Sequence, residues 1–139
     1  MNIKENGREI IIKEIDYALK RMEETENPEE KLYFFSAIYA MIQRVFNIQY
    51  DSNLIYAHFI LNETYKALQG RFKAIEQGAD RLVPLTEEHF TTLYNLTKEL
   101  LQNFIDEKNI DETLKKFVLL AYSTTGNGYY LFQKRLLKL

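Results

Sequence analysis

Leu54, His58, Leu61, Tyr65, Leu68, Phe72 and Ile75 follow one another at alternating steps of four and three. That is the spacing with which one long helix presents a single stripe to its partners. Six of the seven are apolar or aromatic and the seventh is a histidine. The run predicts an all-α fold, a bundle of five to six mainly antiparallel helices with a long central helix, in one domain spanning residues 1–139. It also puts His58 inside the seam as a buried polar residue.

The rest of the chain agrees with long elements. It has 139 residues, enough for one core that removes about two-thirds of the unfolded surface. It contains only two Pro and five Gly beside ten Tyr and nine Phe. Few breakers and many large side chains favour extended helices over short strands.

Six segments can be marked out. The first helix is expected from Gly7 to Thr25, with Ile11, Ile15, Ala18, Leu19 and Met22 on its apolar face. Asn27, Pro28 and Glu30 announce the second, with Asn27 as cap, Pro28 in the first turn and Glu30 closing a capping box. From Leu32 to Ile42 this second helix is apolar on all sides, which points to an enclosed position. The third should start at Ser52 or Asn53 and end at Gly78, followed by a linker to Leu85 that includes Asp80 and Arg81. Thr86 caps a fourth helix with Phe90, Leu93, Thr97, Leu100 and Phe104 inward. A fifth follows Asn109 or Asp111 with Leu114, Phe117, Val118 and Ala121 inward, and a sixth runs from Tyr129 to the terminus.

Several kinds of chemistry lack a foothold. There is no Cys, so disulfides, thiolate nucleophiles and thiolate metal sites are excluded together, in keeping with a reducing, cytoplasmic setting. Met1 to Glu9 has no apolar leader core, and no stretch approaches the ~18 apolar residues of a membrane span. A formal charge of −2 with both signs interleaved makes no long-range field for nucleic acid or membrane. No Glu-x-x-His pair, Gly-x-Ser-x-Gly elbow or phosphate-binding glycine loop occurs. No cofactor and no metal are expected, and a non-enzyme is favoured over an enzyme.

His58 has no carboxylate one turn away, so a packed ring bonded to a Tyr hydroxyl or a backbone carbonyl is preferred to a general base. His89 follows Glu87 and Glu88 and is expected in the solvated first turn of its helix. Ser123, Thr124, Thr125, Gly126, Asn127, Gly128 and Tyr129 form the one small polar loop and the best place for a ligand or anion contact. Read plainly, it is an interhelical turn in which Gly126 ends one helix and Asn127 begins the next. Lys134, Arg135 and Lys138 would give a final helix a basic edge for a nucleic-acid groove, the less favoured alternative.

The aromatic surplus is left over. Nineteen Tyr and Phe either fill the core or mark an interface, because Tyr tolerates one wet end and one buried end. The reading of the sequence as a whole is a non-catalytic interaction or scaffolding module that self-associates as a homodimer or joins another helical protein.

Overall fold

The computed structural model describes residues 5–78 and 84–139, so Lys4 and the linker residues Asp80 and Arg81 lie outside the described residues. Six helices and no strand occur among the described residues: α1 (Glu5–Glu24), α2 (Pro28–Ile48), α3 (Ser52–Glu76), α4 (Glu87–Ile105), α5 (Asp111–Tyr122) and α6 (Gly126–Gln133). α1 packs on α2, α2 on α3, α3 on α5, α5 on α4 and α4 back on α1, which closes a ring; α6 leans on α5.

The ring explains why the bundle is antiparallel in the main and not throughout. Short turns at 25–27, 49–51 and 106–110 make α1–α2, α2–α3 and α4–α5 antiparallel. Arg8, near the start of α1, donates to the carbonyls of Phe104 and Ile105 at the end of α4, while Tyr94 bonds Glu23 at the other end. That contact is antiparallel too. Five directions cannot alternate around a closed ring, so one neighbour pair must run parallel, and it is α3–α5: Thr64 donates toward the Phe117 carbonyl and Arg71 to the Thr124 carbonyl.

Each wall helix contributes one inner stripe. α1 buries Ile11, Ile15, Ala18, Leu19 and Met22, and α4 buries Phe90, Leu93, Thr97, Leu100 and Phe104, both as expected, with Leu96 and His89 added to α4. α3 departs from expectation in phase. Its buried residues are Leu54, Ala57, Leu61, Thr64 and Leu68, so Ala57 and Thr64, small enough to bring the neighbouring helices close, take the places assigned to His58 and Tyr65. His58, Tyr65 and Phe72 sit half-buried along one flank and Ile75 is exposed.

α2 is not enclosed. Leu32, Phe35, Ile38, Ile42 and Val45 face the core, but Tyr33 and Ile48 lie in solvent, because a helix with two neighbours covers only part of its circumference. On α5, Leu114 and Phe117 point inward as expected, but Val118 is exposed and Ala121 half-buried, and Thr113 and Leu120 take their places.

The helix ends show local chemistry at work. Asn27 Oδ1 accepts from the amides of Glu29 and Glu30, but Glu30 turns outward to the Thr25 hydroxyl at 2.7 Å, so the capping box does not close. α3 is capped by Asp51, whose carboxylate accepts from the amides of Asn53 and Leu54, and after Glu76 and the cap Gln77 the chain turns away at Gly78 with φ 92°. α6 begins three residues before Tyr129 and stops at Gln133. Arg135, at φ 58°, closes a left-handed turn there: its amide donates to Phe132 O, and that of Leu136 to Leu131 O.

Candidate functional site

The predicted loop is a joint between two helices, and its hydroxyls are already committed. Ser123, Thr124 and Thr125 donate their hydroxyls to the carbonyls of Leu120, Ala121 and Tyr122 at 2.5, 2.7 and 2.7 Å, the same end-of-helix acceptors that receive their backbone amides. Thr125 Oγ1 also accepts from the Gly128 amide and so caps α6, one residue before Gly126. Gly126 therefore opens α6 and does not close α5. Asn127 bonds the Tyr122 hydroxyl, and Arg71 holds the Thr124 carbonyl at 2.6 Å. Gly128 is needed because a Cβ there would overlap the Tyr122 carbonyl oxygen.

Beside this joint lies the second histidine, which is not in solvent as its place after Glu87 and Glu88 suggests. His89 is fully buried on α4, its ring stacked on Phe132 at 4.3 Å and lying parallel to Tyr129 at 6.0 Å. Its Nδ1 accepts from the Thr86 amide at 3.0 Å, the task a Glu or Gln performs in a capping box. The proton therefore sits on Nε2, which is buried without a hydrogen-bond partner. Burial pushes the imidazole below the usual histidine range, against the opposing pull of the Ser123 backbone and the Glu88 charge. The signal was present in the sequence: His89 stands three residues after the cap Thr86 and four before Leu93, on the edge of the apolar stripe.

His58 takes the reverse correction. It is half-buried, not enclosed, with Nδ1–H donating to the Tyr39 carbonyl at 3.1 Å. Around it stand the rings of Tyr39, Phe46 and Phe59 at 5.9, 5.5 and 5.5 Å, and Tyr39 continues to Tyr65 at 5.7 Å. Farther along the same pair of helices, Tyr33, Tyr65 and Phe72 line a small cleft.

This aromatic face has a second property. Between Leu32 and Asn62 only Arg44 and Asp51 carry a formal charge, although 27% of the chain is charged. Tyr33, Ile48, Tyr50, Tyr56 and Phe59 in that stretch are 68%, 84%, 82%, 62% and 58% exposed. None of the ten tyrosines is buried, whereas Phe35, Phe90, Phe104, Phe117 and Phe132 are. Every fully buried ring of these two types is thus a Phe, while Phe34, Phe46, Phe59 and Phe72 stay outside the core with the tyrosines, and the charge-poor window is the sequence signal for the face.

The three basic residues do not share a helical face. Lys134 is the C-cap of α6 and lies 5.8 Å over the Tyr130 ring; Arg135 pairs with Glu88 at 3.7 Å; Lys138 borders a groove with Lys115 and Val118. The final helix ends before Arg135, so a basic helix edge does not form. Among the described residues no group of three potential ligands could hold a metal ion, and no helix is long and apolar enough to cross a membrane. Compared with known proteins, the chain matches no family model, no curated sequence and no solved structure.

Proposed function

We propose that this chain is a non-catalytic cytoplasmic interaction module that self-associates as a homodimer through the outer face of α2 and α3. The observation that carries the reading is the coincidence, in the stretch from Leu32 to Asn62, of exposed aromatic residues and near-absence of charge. Charged residues are depleted and Tyr and Phe enriched at the centre of protein interfaces.

The area is of the right order. Side chains of this size bury roughly 200 Å² each. The exposed fractions of Ile48, Tyr50, Tyr56 and Phe59, which lie at the end of α2, in the turn and in the first two turns of α3, therefore leave on the order of 600 Å² uncovered. Half-exposed Tyr39, Phe46 and His58 extend this toward the ~800 Å² that each partner gives to a standard interface. A two-fold axis would set the same patch of both copies face to face, as isologous dimers require.

Sedimentation equilibrium at micromolar concentration tests the reading. The expected mass is twice the 16.6 kDa of the chain, falling to the single-chain mass when Tyr56 and Phe59 are both replaced by Glu. These side chains point outward, so the fold should survive. A wild-type chain that stays at the single mass across that concentration range rules the proposal out.

A further inference from the structure

The contact between α6 and His89 is built around a neutral ring. Nδ1 must keep a lone pair to accept the Thr86 amide, which is the reciprocal arm of the α4 cap. The ring is fully buried against α6 residues Tyr129 and Phe132, Nε2 makes no well-formed hydrogen bond, and burial outweighs the pull of the Ser123 backbone and of Glu88 toward the charged form. An imidazolium would carry a proton on both nitrogens. Its Nδ1–H would turn to the Thr86 hydroxyl at 2.9 Å, leave the Thr86 N–H without its acceptor, and hold a charge among apolar rings, an arrangement proteins avoid.

We propose that His89 is an acid-sensitive latch: protonation breaks the α4 cap and releases α6 with the segment after it, while the five-helix ring stays closed. Release uncovers the slot that Phe132 fills and frees the joint at 123–128.

The groups around His89 fit this role. On α4 itself, Glu88 is the nearest charge, and it is engaged by Arg135 from the end of α6 at 3.7 Å. α6 presents Tyr129 to the ring, and the turn after α5 presents the Ser123 backbone, one residue from the Thr124 carbonyl that Arg71 holds. Glu87 stands in the exposed first turn. No carboxylate is hydrogen-bonded to Nε2, so nothing within bonding distance neutralises the imidazolium. The ring's depressed proton affinity agrees with that geometry.

The sign follows from linkage. A histidine held neutral when latched and ordinary when released binds more protons in the released state, so latching weakens as pH falls below about 6.5. Between pH 7 and pH 5 the released-to-latched ratio can rise by up to about 25-fold.

Native-state hydrogen exchange of the full chain, corrected for intrinsic rates, reads this directly. In the wild type, amide protection in α6 should fall several-fold, and by no more than about 25-fold, from pH 7 to pH 5, while protection at 54–68 and 93–104 holds. His89→Gln, which keeps a side-chain acceptor for the Thr86 amide and cannot titrate, should leave α6 protection flat over the same range. The proposal is overturned if α6 protection is unchanged in the wild type, if it falls equally in His89→Gln, or if the ring helices lose protection in parallel. Should His89→Gln fail to fold, the His89 ring titration followed by NMR in the wild type replaces it. Its midpoint should coincide with the loss of α6 protection, and separate midpoints overturn the latch.

Discussion

Replacing Gly70 by Ala and replacing Gly128 by Ala are the same chemical change, and the structure assigns them opposite signs. Gly70 lies inside α3 with nothing within 4 Å of where a Cβ would stand. Alanine there gains helix propensity and restricts the unfolded chain, together about 0.8–1 kcal/mol of stability. In a chain this long, that raises Tm by about 3–4 °C.

Gly128 would collect the same benefit but for its neighbour. The added methyl overlaps the Tyr122 carbonyl oxygen and comes within 2.9 Å of Thr125 Oγ1. A backbone carbonyl at a helix end cannot swing aside as a side chain can, so the start of α6 must move. The motion breaks the Gly128–Thr125 cap at 3.1 Å and the Tyr129–Thr125 backbone bond at 2.7 Å, and it lifts Phe132 from its slot. A lost cap costs about 1 kcal/mol and an uncovered Phe about 2–3 kcal/mol. Because α6 can detach and leave the ring folded, the loss is limited to the docking energy of α6, a net of about 1–3 kcal/mol. Urea denaturation followed by circular dichroism gives both differences from one series of three proteins. A Gly128→Ala chain as stable as the wild type, or a Gly70→Ala chain less stable, would refute the packing assigned to both positions.

Other changes test separate joints. Thr64→Leu enlarges a fully buried position that sets the spacing of α3 and α5; thermal melts should show a loss of about 1–3 kcal/mol from overpacking. Arg71→Gln removes the cation from the Thr124 carbonyl, which should cost about 1–2 kcal/mol in urea titration. Arg135→Gly relieves a left-handed residue with a Cβ and should raise stability by about 1 kcal/mol in the same assay. Burial works to raise the Glu99 pKa, but Lys116 at 2.9 Å and the Thr113 hydroxyl at 2.5 Å outweigh it and hold the group below its ordinary value near 4.5. The stability this carboxylate contributes is complete above that value and drains as pH falls through the lower folded one. Acid titration of Glu99→Gln should therefore show a flatter low-pH limb than the wild type.

The sequence spoke clearly where a helix has one apolar face and one neighbour set to satisfy. α1 and α4 are of this kind, and their inward residues follow from spacing alone. It misled where the count of neighbours mattered, because spacing shows that a residue is apolar and says nothing about how many helices remain to cover it. On α3, weight given to bulk favoured His58 and Tyr65 over Ala57 and Thr64, yet close approach of helices selects the small pair. The end of α6 was hidden for a different reason: a left-handed stop normally shows itself as Gly or Asn, and here the residue is Arg135. His89 was misplaced because its polar neighbours Glu87 and Glu88 outvoted its register on the stripe, although those neighbours point to the other side of the same turn.

The ring also accounts for the aromatic excess on geometric grounds. A closed ring of five needs only one stripe from each member, and the inner stripe of α2 is filled by Leu32, Phe35, Ile38, Ile42 and Val45. Tyr33 is therefore surplus to the interior, as are Tyr56 and Phe59 on α3, while Tyr39 and Phe46 cover its edge, and all five fall in the charge-poor stretch from Leu32 to Asn62. Their hydroxyls or ring edges reach water while the ring bodies remain apolar, so the face is soluble enough alone and favoured when covered, at about 25 cal/mol per Å² removed from water. On that rate the ~600 Å² at the α2–α3 turn is worth roughly 15 kcal/mol from each copy before ordering and association costs, which take back most of it. The remainder rests on a few side chains at the centre of the patch. Phe59, fixed against His58 at 5.5 Å and still more than half exposed, is the side chain in that position, and Phe59→Ala alone should shift the equilibrium further toward the single chain than Tyr33→Ala at the far end of α2.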